Sequence, residues 1–213
     1  MLENISDINL KDQFKNNPKL KRTTYIVGAL VVIVLGYFLY KQFVWNPANE
    51  KSKSAYYIGL NLADKDSTDA AINELTPVVK KFDGKIGGEV AQFVLARQYM
   101  VKGDFKKALD ELEGVDVNDT YVVAMALGLQ GDCQSELGKH DDAIELYVDA
   151  ANASDNELTS PMYLFKAGLC AEKLKDYEKA TEFYTQIKET YVDFARQKTI
   201  EKYIARTSNN TKK

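Results

Sequence analysis

The chain has one histidine, His140, and two cysteines, Cys133 and Cys170. Zinc takes four ligands in structural sites and three in catalytic ones, mostly Cys and His. One His and two separated Cys argue against such a site. Asp141-Asp142 could be a carboxylate pair for general acid–base work. Neighbours on a helix point apart, however, and acidic residues at a helix start suit the helix dipole instead. The run DVNDTY (116–121) alternates oxygen ligands but has neither the glycine nor the closing glutamate of a calcium loop. DGKIGGEV (83–90) is rich in glycine yet lacks the Gly-Lys-Ser/Thr ending that cradles phosphates. No nucleophile-elbow or kinase signature occurs. These absences lead us to expect no catalytic residue, no metal, no cofactor and no small-molecule substrate. His140 is expected to act structurally, because it aligns with aromatic residues in the repeats described next.

The elements that hold these residues repeat. QFVLARQYMVKGDFKKALDEL (92–112), LGLQGDCQSELGKHDDAIELY (127–147) and LFKAGLCAEKLKDYEKATEFY (164–184) share one pattern. Each has a helical stretch with a small residue (Ala96, Gly131, Gly168), then a turn. An aromatic or His follows (Phe105, His140, Tyr177), with an alanine three residues on. Ala108, Ala143 and Ala180 lie 35 and 37 apart, and a weaker copy puts Ala71 another 37 before. Apolar positions at i, i+3, i+4 and i+7 mark one face of each helix. The small residue lets the second helix approach closely. This period and pattern resemble the tetratricopeptide repeat (TPR), and the fold class expected is all-α. Four repeats are expected at about 52–85, 89–122, 124–157 and 161–194. The first lacks the Gly-Asp turn. A capping helix is expected over about 195–206, followed by a disordered tail at 207–213. Equivalent sites on neighbouring helices sit about 8–10 Å apart. Bridged Cα atoms rarely exceed about 7 Å. Cys133 and Cys170 are therefore expected to be free, buried thiols.

One stretch stands outside the repeats. From Thr23 to Tyr40 there is no charge, and the apolar run can extend to Trp45 if Lys41 snorkels. About 20 helical residues match a hydrocarbon core of about 30 Å. Bulky residues fill the place where a signal-peptide cleavage site would need small ones. We therefore read residues 23–45 as a retained anchor, with Lys21, Arg22, Tyr25, Tyr40, Lys41 and Trp45 at its two boundaries. Basic residues crowd the N-terminal flank, which puts a tail of residues 1–22 inside and the repeat domain, 46–206, outside. In a bacterium that means the periplasm. The formal net charge of −3, with no basic run in the repeats, argues against a nucleic-acid partner.

TPR stacks bind partners on the face lined by the first helices. The residues offset from the packing stripe are Tyr56 and Leu60; Val90, Phe93, Arg97 and Met100; Met125, Asp132 and Ser135; Met162, Phe165 and Leu169. These are the expected partner-binding groove. Tyr56 and Leu60 stand in the first repeat's groove, so the Lys/Asn clamp for a C-terminal carboxylate is absent.

The layout of tail, basic and aromatic juxtamembrane piece, single anchor and TPR repeats resembles the YfgM-like ancillary subunit of the bacterial Sec translocon. The resemblance is densest in GYFLYKQFVWN (36–46) and LTPVVKKFDGKIGGEVAQFVLARQYMVKGDFKKALDELEGV (75–115). It implies a periplasmic domain at the SecYEG exit that binds a PpiD-like membrane-anchored chaperone and assists emerging proteins. It carries over no catalytic residue. A TPR receptor or scaffold of another envelope or organelle-membrane complex is the alternative, with opposite topology in the cytosol-facing case.

Overall fold

A computed structural model of the chain describes residues 17–211, which contain helices and no strand. They divide into two compact units, one ending at Glu50 and the other beginning at Lys51.

The first unit contains α1, Pro18–Tyr40. Asn17 caps it: its side-chain oxygen accepts the Lys19 and Leu20 N–H groups at 3.0 and 3.1 Å, and Pro18 suits the first turn, where an N–H would have no partner. The chain continues through a π-helical turn, Lys41–Trp45, into α2, Asn46–Ala55. The hydroxyls of Thr23 and Thr24 donate to the carbonyls of Lys19 and Leu20, so α1 leaves few polar groups unsatisfied. No α1 side chain is buried. A helix apolar on every side needs an apolar surrounding, and this is one helix long and apolar enough to cross a membrane, with mean hydropathy 2.0. Most of the expected tail lies outside the described residues.

The second unit is built of helix pairs: α3 (Tyr57–Asp64) with α4 (Thr68–Lys81), α5 (Ile86–Val101) with α6 (Phe105–Glu113), α7 (Thr120–Glu136) with α8 (His140–Ala153), and α9 (Thr159–Lys173) with α10 (Tyr177–Thr190). Each helix packs on the next in sequence. These are the four expected repeats.

The turn inside each pair is the same. Asp66, Gly103, Gly138 and Lys175 adopt left-handed φ of 56°, 76°, 78° and 64°. The N–H of the next residue reaches the carbonyl five residues back, as in Ser67 to Leu62 and Asp176 to Ala171. Carbonyls at the helix end are thereby satisfied. The first repeat does possess the turn: Asp66 takes the glycine's place, which a short polar side chain tolerates better than most.

The close crossings are also as expected. A Cβ on Gly59 would meet the Leu75 side chain; on Gly131 it would meet the Tyr147 ring, and on Gly168 the Tyr184 ring. Ala96 and Leu112 share one cluster at the second repeat's crossing. The glycines of DGKIGGEV have a packing reason as well. Gly87 lies against the Ser52 backbone and Gly88 against that of Phe82, and Gly87 N–H donates to Ser52 Oγ at 3.0 Å. The DVNDTY run works as loop and cap. The buried Glu89 carboxylate accepts the Asp116 N–H at 2.7 Å, and Asp119 caps α7 through the Tyr121 and Val122 N–H groups.

The C-terminal end differs from expectation. Instead of one helix at 195–206 and a disordered tail, there are α11, Val192–Lys198, and α12, Ile200–Thr211. Thr199, at φ 55°, breaks them and turns α12 onto α10. Thr207 is fully buried, and its hydroxyl meets Thr181 Oγ1 at 2.6 Å. The tail reading fails for 207–211 because a threonine that bonds inward reads as a polar surface residue in sequence. Residues 212 and 213 lie outside the described residues.

Candidate interaction face

The 37- and 35-residue offsets arrange the first helices as a grid. Leu60, Arg97, Asp132 and Leu169 form one row across the four repeats. Tyr56, Phe93, Gly128 and Phe165 form a second, and Val90, Met125 and Met162 a third. Burial sorts the expected groove residues. Arg97 is exposed, Met125 is 42% exposed and Leu169 37%. Tyr56, Leu60 and Val90 are half-buried against the Ala71–Leu75–Leu95 cluster. Phe93 and Met100 pack on the Ala96–Leu112 cluster, and Met162 on the large C-terminal core.

Phe165 is the most heavily engaged of these groove residues. Its ring lies 4.9 Å from that of Tyr203 and 5.8 Å from that of Tyr184, with Phe194 at 6.4 Å. The ring is half-buried and packs against the C-terminal helices. Sequence spacing put it on the groove face but could not show that α11 and α12 fold back over it. Gly128 fills the same row in the third repeat without a side chain, and the Tyr163 ring of α9, the next repeat's first helix, occupies that space.

Asp132 is a hub that spacing placed on this face without its partners. Tyr147 Oη donates to Asp132 Oδ1 at 2.6 Å. Lys166 Nζ donates to both carboxylate oxygens, at 2.7 and 2.8 Å. Burial, then donation to Asp132, pushes the Tyr147 hydroxyl far above the ordinary tyrosine range. The fourth repeat repeats the device: Tyr184 Oη donates to Glu172 Oε1 at 2.7 Å, and Arg206 of α12 reaches the same oxygen at 2.6 Å. The only advance signal was that Tyr147 and Tyr184 stand where earlier repeats have leucine. Beside the Asp132 hub lies a hollow of about 480 Å³ lined by Met100, Val101, Phe105, Asp132, Ser135, Glu136 and Tyr147. It has an apolar side and an acidic side.

Cys133 and Cys170 are free and buried. The Cys170 thiol donates to Ser135 Oγ at 3.6 Å. Burial pushes the Cys133 thiol up to about 11 and raises that of Cys170, which suits inert core thiols rather than nucleophiles. His140 opens α8 half-buried. Among the described residues, no three His, Cys, Asp or Glu side chains gather as a metal site.

A family model described as a tetratricopeptide repeat-like domain matches residues 14–124, and a tetratricopeptide repeat model matches residues 163–193. A search of curated proteins finds no match. Several solved structures share the fold. MamA aligns with a TM-score of 0.62 at 21% identity, over 76% of this chain and 84% of that one. A Podosopora anserina putative kinesin light chain with TPR-like repeats gives 0.58 at 15%, over 76% and 87%. The apo form of RapI gives 0.57 at 16%, over 89% and 70%. At these identities the likeness is one of fold. Stacked repeats of this kind present long surfaces suited to protein–protein interaction. The first family match spans more than half of the 213 residues, and the chain belongs to the tetratricopeptide repeat-like domain family.

Proposed function

We propose that the protein is a non-enzymatic, membrane-anchored TPR scaffold of the bacterial inner membrane. Residues 23–45 span the bilayer, residues 1–22 face the cytoplasm and the repeats stand in the periplasm. The observation that carries this reading is the family match: it begins ahead of the apolar helix and runs through the second repeat, which supports reading the two together. The basic residues Lys19, Lys21 and Arg22 before the span favour this orientation. The resemblance to YfgM-like subunits supports SecYEG as the membrane partner and a PpiD-like chaperone as the periplasmic one. Tethering in one plane raises effective concentration, so weak contacts suffice. Arg97, Met125 and Leu169, exposed on the first-helix face, are the proposed contacts, and methionine adapts to varied partners.

The test is recovery of partners from membranes in mild detergent. Full-length protein should bring down SecYEG and the chaperone, and Arg97→Glu with Met125→Glu should lower chaperone recovery at least fivefold without changing helicity. Full recovery by the double variant would remove this face as the site. Protease added to spheroplasts should digest the repeats; protection until lysis would reverse the topology.

A further inference from the structure

In every repeat after the first, one edge of the first helix is covered by the preceding repeat. In α5, Ala91, Val94 and Leu95 are at most 7% exposed and cluster with Ala71 and Leu75 of α4. In α7, Ala126 is buried and Gln130 Nε2 donates to the Leu112 carbonyl of α6 at 3.2 Å. In α9, Tyr163 and Ala167 join the cluster of Ala143 and Tyr147 from α8. The 37-residue offset maps these positions onto Ser54, Tyr57 and Ile58. There the edge is open: Tyr57 is 54% and Ile58 63% exposed, and Ser54 is exposed too. Asn61 is also exposed, whereas its equivalents Gln98, Cys133 and Cys170 are buried. The opposite end of the stack is closed by α12, with Ile200 and Thr207 fully buried.

We infer that the open edge at Tyr57 and Ile58 receives an amphipathic helix from another protein, seated as a second helix seats on the next repeat. The repeats themselves specify its chemistry. Each covering helix presents an alanine and, four residues on, a large residue: Ala71 and Leu75 in α4, Ala108 and Leu112 in α6, Ala143 and Tyr147 in α8. Tyr57 and Ile58 are uncharged; Ile58 matches Leu95 in size, and the Tyr57 ring, larger than Val94, stacks on Tyr56 at 4.6 Å, so a helix of the α4 type can meet the edge without burying charge. A solenoid end needs a polar outer face to stand in water. Ser54 and Asn61 are polar, but Tyr57 and Ile58 between them leave an apolar patch. This surface is separate from the first-helix face proposed above, and either can fail without the other.

The test uses full-length protein in lipid nanodiscs and a fluorescent, helix-stapled peptide of residues 67–82, the sequence of α4. Saturable binding is expected, weakened at least tenfold by Ile58→Glu and retained by Ile58→Leu. It should also survive Leu158→Glu, a change at a distant exposed site. A peptide carrying Leu75→Glu should not bind. Absence of saturable binding, or unchanged binding by Ile58→Glu with an unchanged melting temperature, overturns the proposal. So does finding that Ile58→Glu splits a stable dimer, which would make a second copy the occupant. Quenching by brominated lipid of a fluorophore attached at Tyr57→Cys would make it the bilayer and equally overturn the proposal.

Discussion

The first two repeats and the last two share a backbone and differ in what fills the helix crossing. In the first two, Leu75 and Leu112 lie against Gly59 and Ala96. In the last two, tyrosines lie against Gly131 and Gly168. Leucine can only fill the crossing. A tyrosine fills it and carries a hydroxyl out the far side, where it meets a carboxylate of the first helix. That carboxylate is held in turn by a cation from a third helix, Lys166 of α9 or Arg206 of α12. Two-helix contacts thereby become three-element clamps. The cores differ in size as well. Repeats three and four and the C-terminal helices share one large apolar cluster, while two smaller clusters join repeats one and two, and repeats two and three. Coupling in a solenoid runs between neighbours, so the C-terminal half should behave as the more cooperative part.

The largest test breaks a tyrosine crossing. Gly168→Leu puts a Cβ 2.5 Å from the Tyr184 ring, and that ring is fully buried between α9, α10 and α12. The overpacking should cost about 3 kcal/mol, against a helix-propensity gain of only about 0.8 kcal/mol. Thermal denaturation should show the loss, and amide exchange should quicken across α9 to α12 while α4 and α5 stay protected. Equal loosening of the first repeats would mean the two halves are not distinct.

A second test weighs the clamps. Tyr147→Phe keeps the ring and removes the hydroxyl, so it should cost about 1–2 kcal/mol because the half-buried Asp132 loses a partner. Lys166→Met should cost a similar amount alone. The double variant should show coupling of at least about 0.5 kcal/mol in denaturant titrations. Strict additivity would reduce the hub to independent contacts.

Alkali should sharpen the comparison further. Tyr147 and Tyr184 titrate above the ordinary tyrosine range in the folded chain, first through burial and then through donation to carboxylates. Below pH of about 10 they are protonated in both states, and their stabilisation is complete. Above it the unfolded chain releases protons that the folded chain keeps, so stability falls as pH rises. Cys133, raised to about 11, begins this limb near pH of about 9. The melting temperature should therefore decline above pH of about 9, and Tyr147→Phe with Tyr184→Phe should flatten the decline. An unchanged slope would detach it from the clamps.

The smallest effect is at a turn. Lys175 holds a left-handed φ of 64° that its glycine counterparts, Gly103 and Gly138, adopt without strain. Lys175→Gly should raise stability by about 0.5–1 kcal/mol, read as a small increase in melting temperature.

Much of the architecture is written in local pattern. The alanine spacing located every second helix, because a small residue at a crossing is a steric requirement that recurs with the repeat. The long apolar helix was legible because an uncharged run is a property of composition alone. The first repeat's turn was missed because Asp66 is a rarer occupant of the left-handed position than glycine. The C-terminal helices were misjudged because Thr207 and Thr211 look polar, and polarity does not reveal that Thr207 bonds to Thr181.

Sequence by itself determined the all-helical class, the four pairs, the buried free thiols and the face on which Arg97, Asp132 and Met125 lie. These depend on periods of a few residues and on volumes at fixed places. Only the tertiary structure decided that Phe165 packs against the C-terminal helices, that Asp132 and Glu172 each gather a tyrosine and a cation, and that Tyr57 and Ile58 stand at an open edge. Each of those facts joins residues from different helices, or depends on a neighbour that the first repeat lacks. No spacing within a single helix encodes which side chain will arrive from the next.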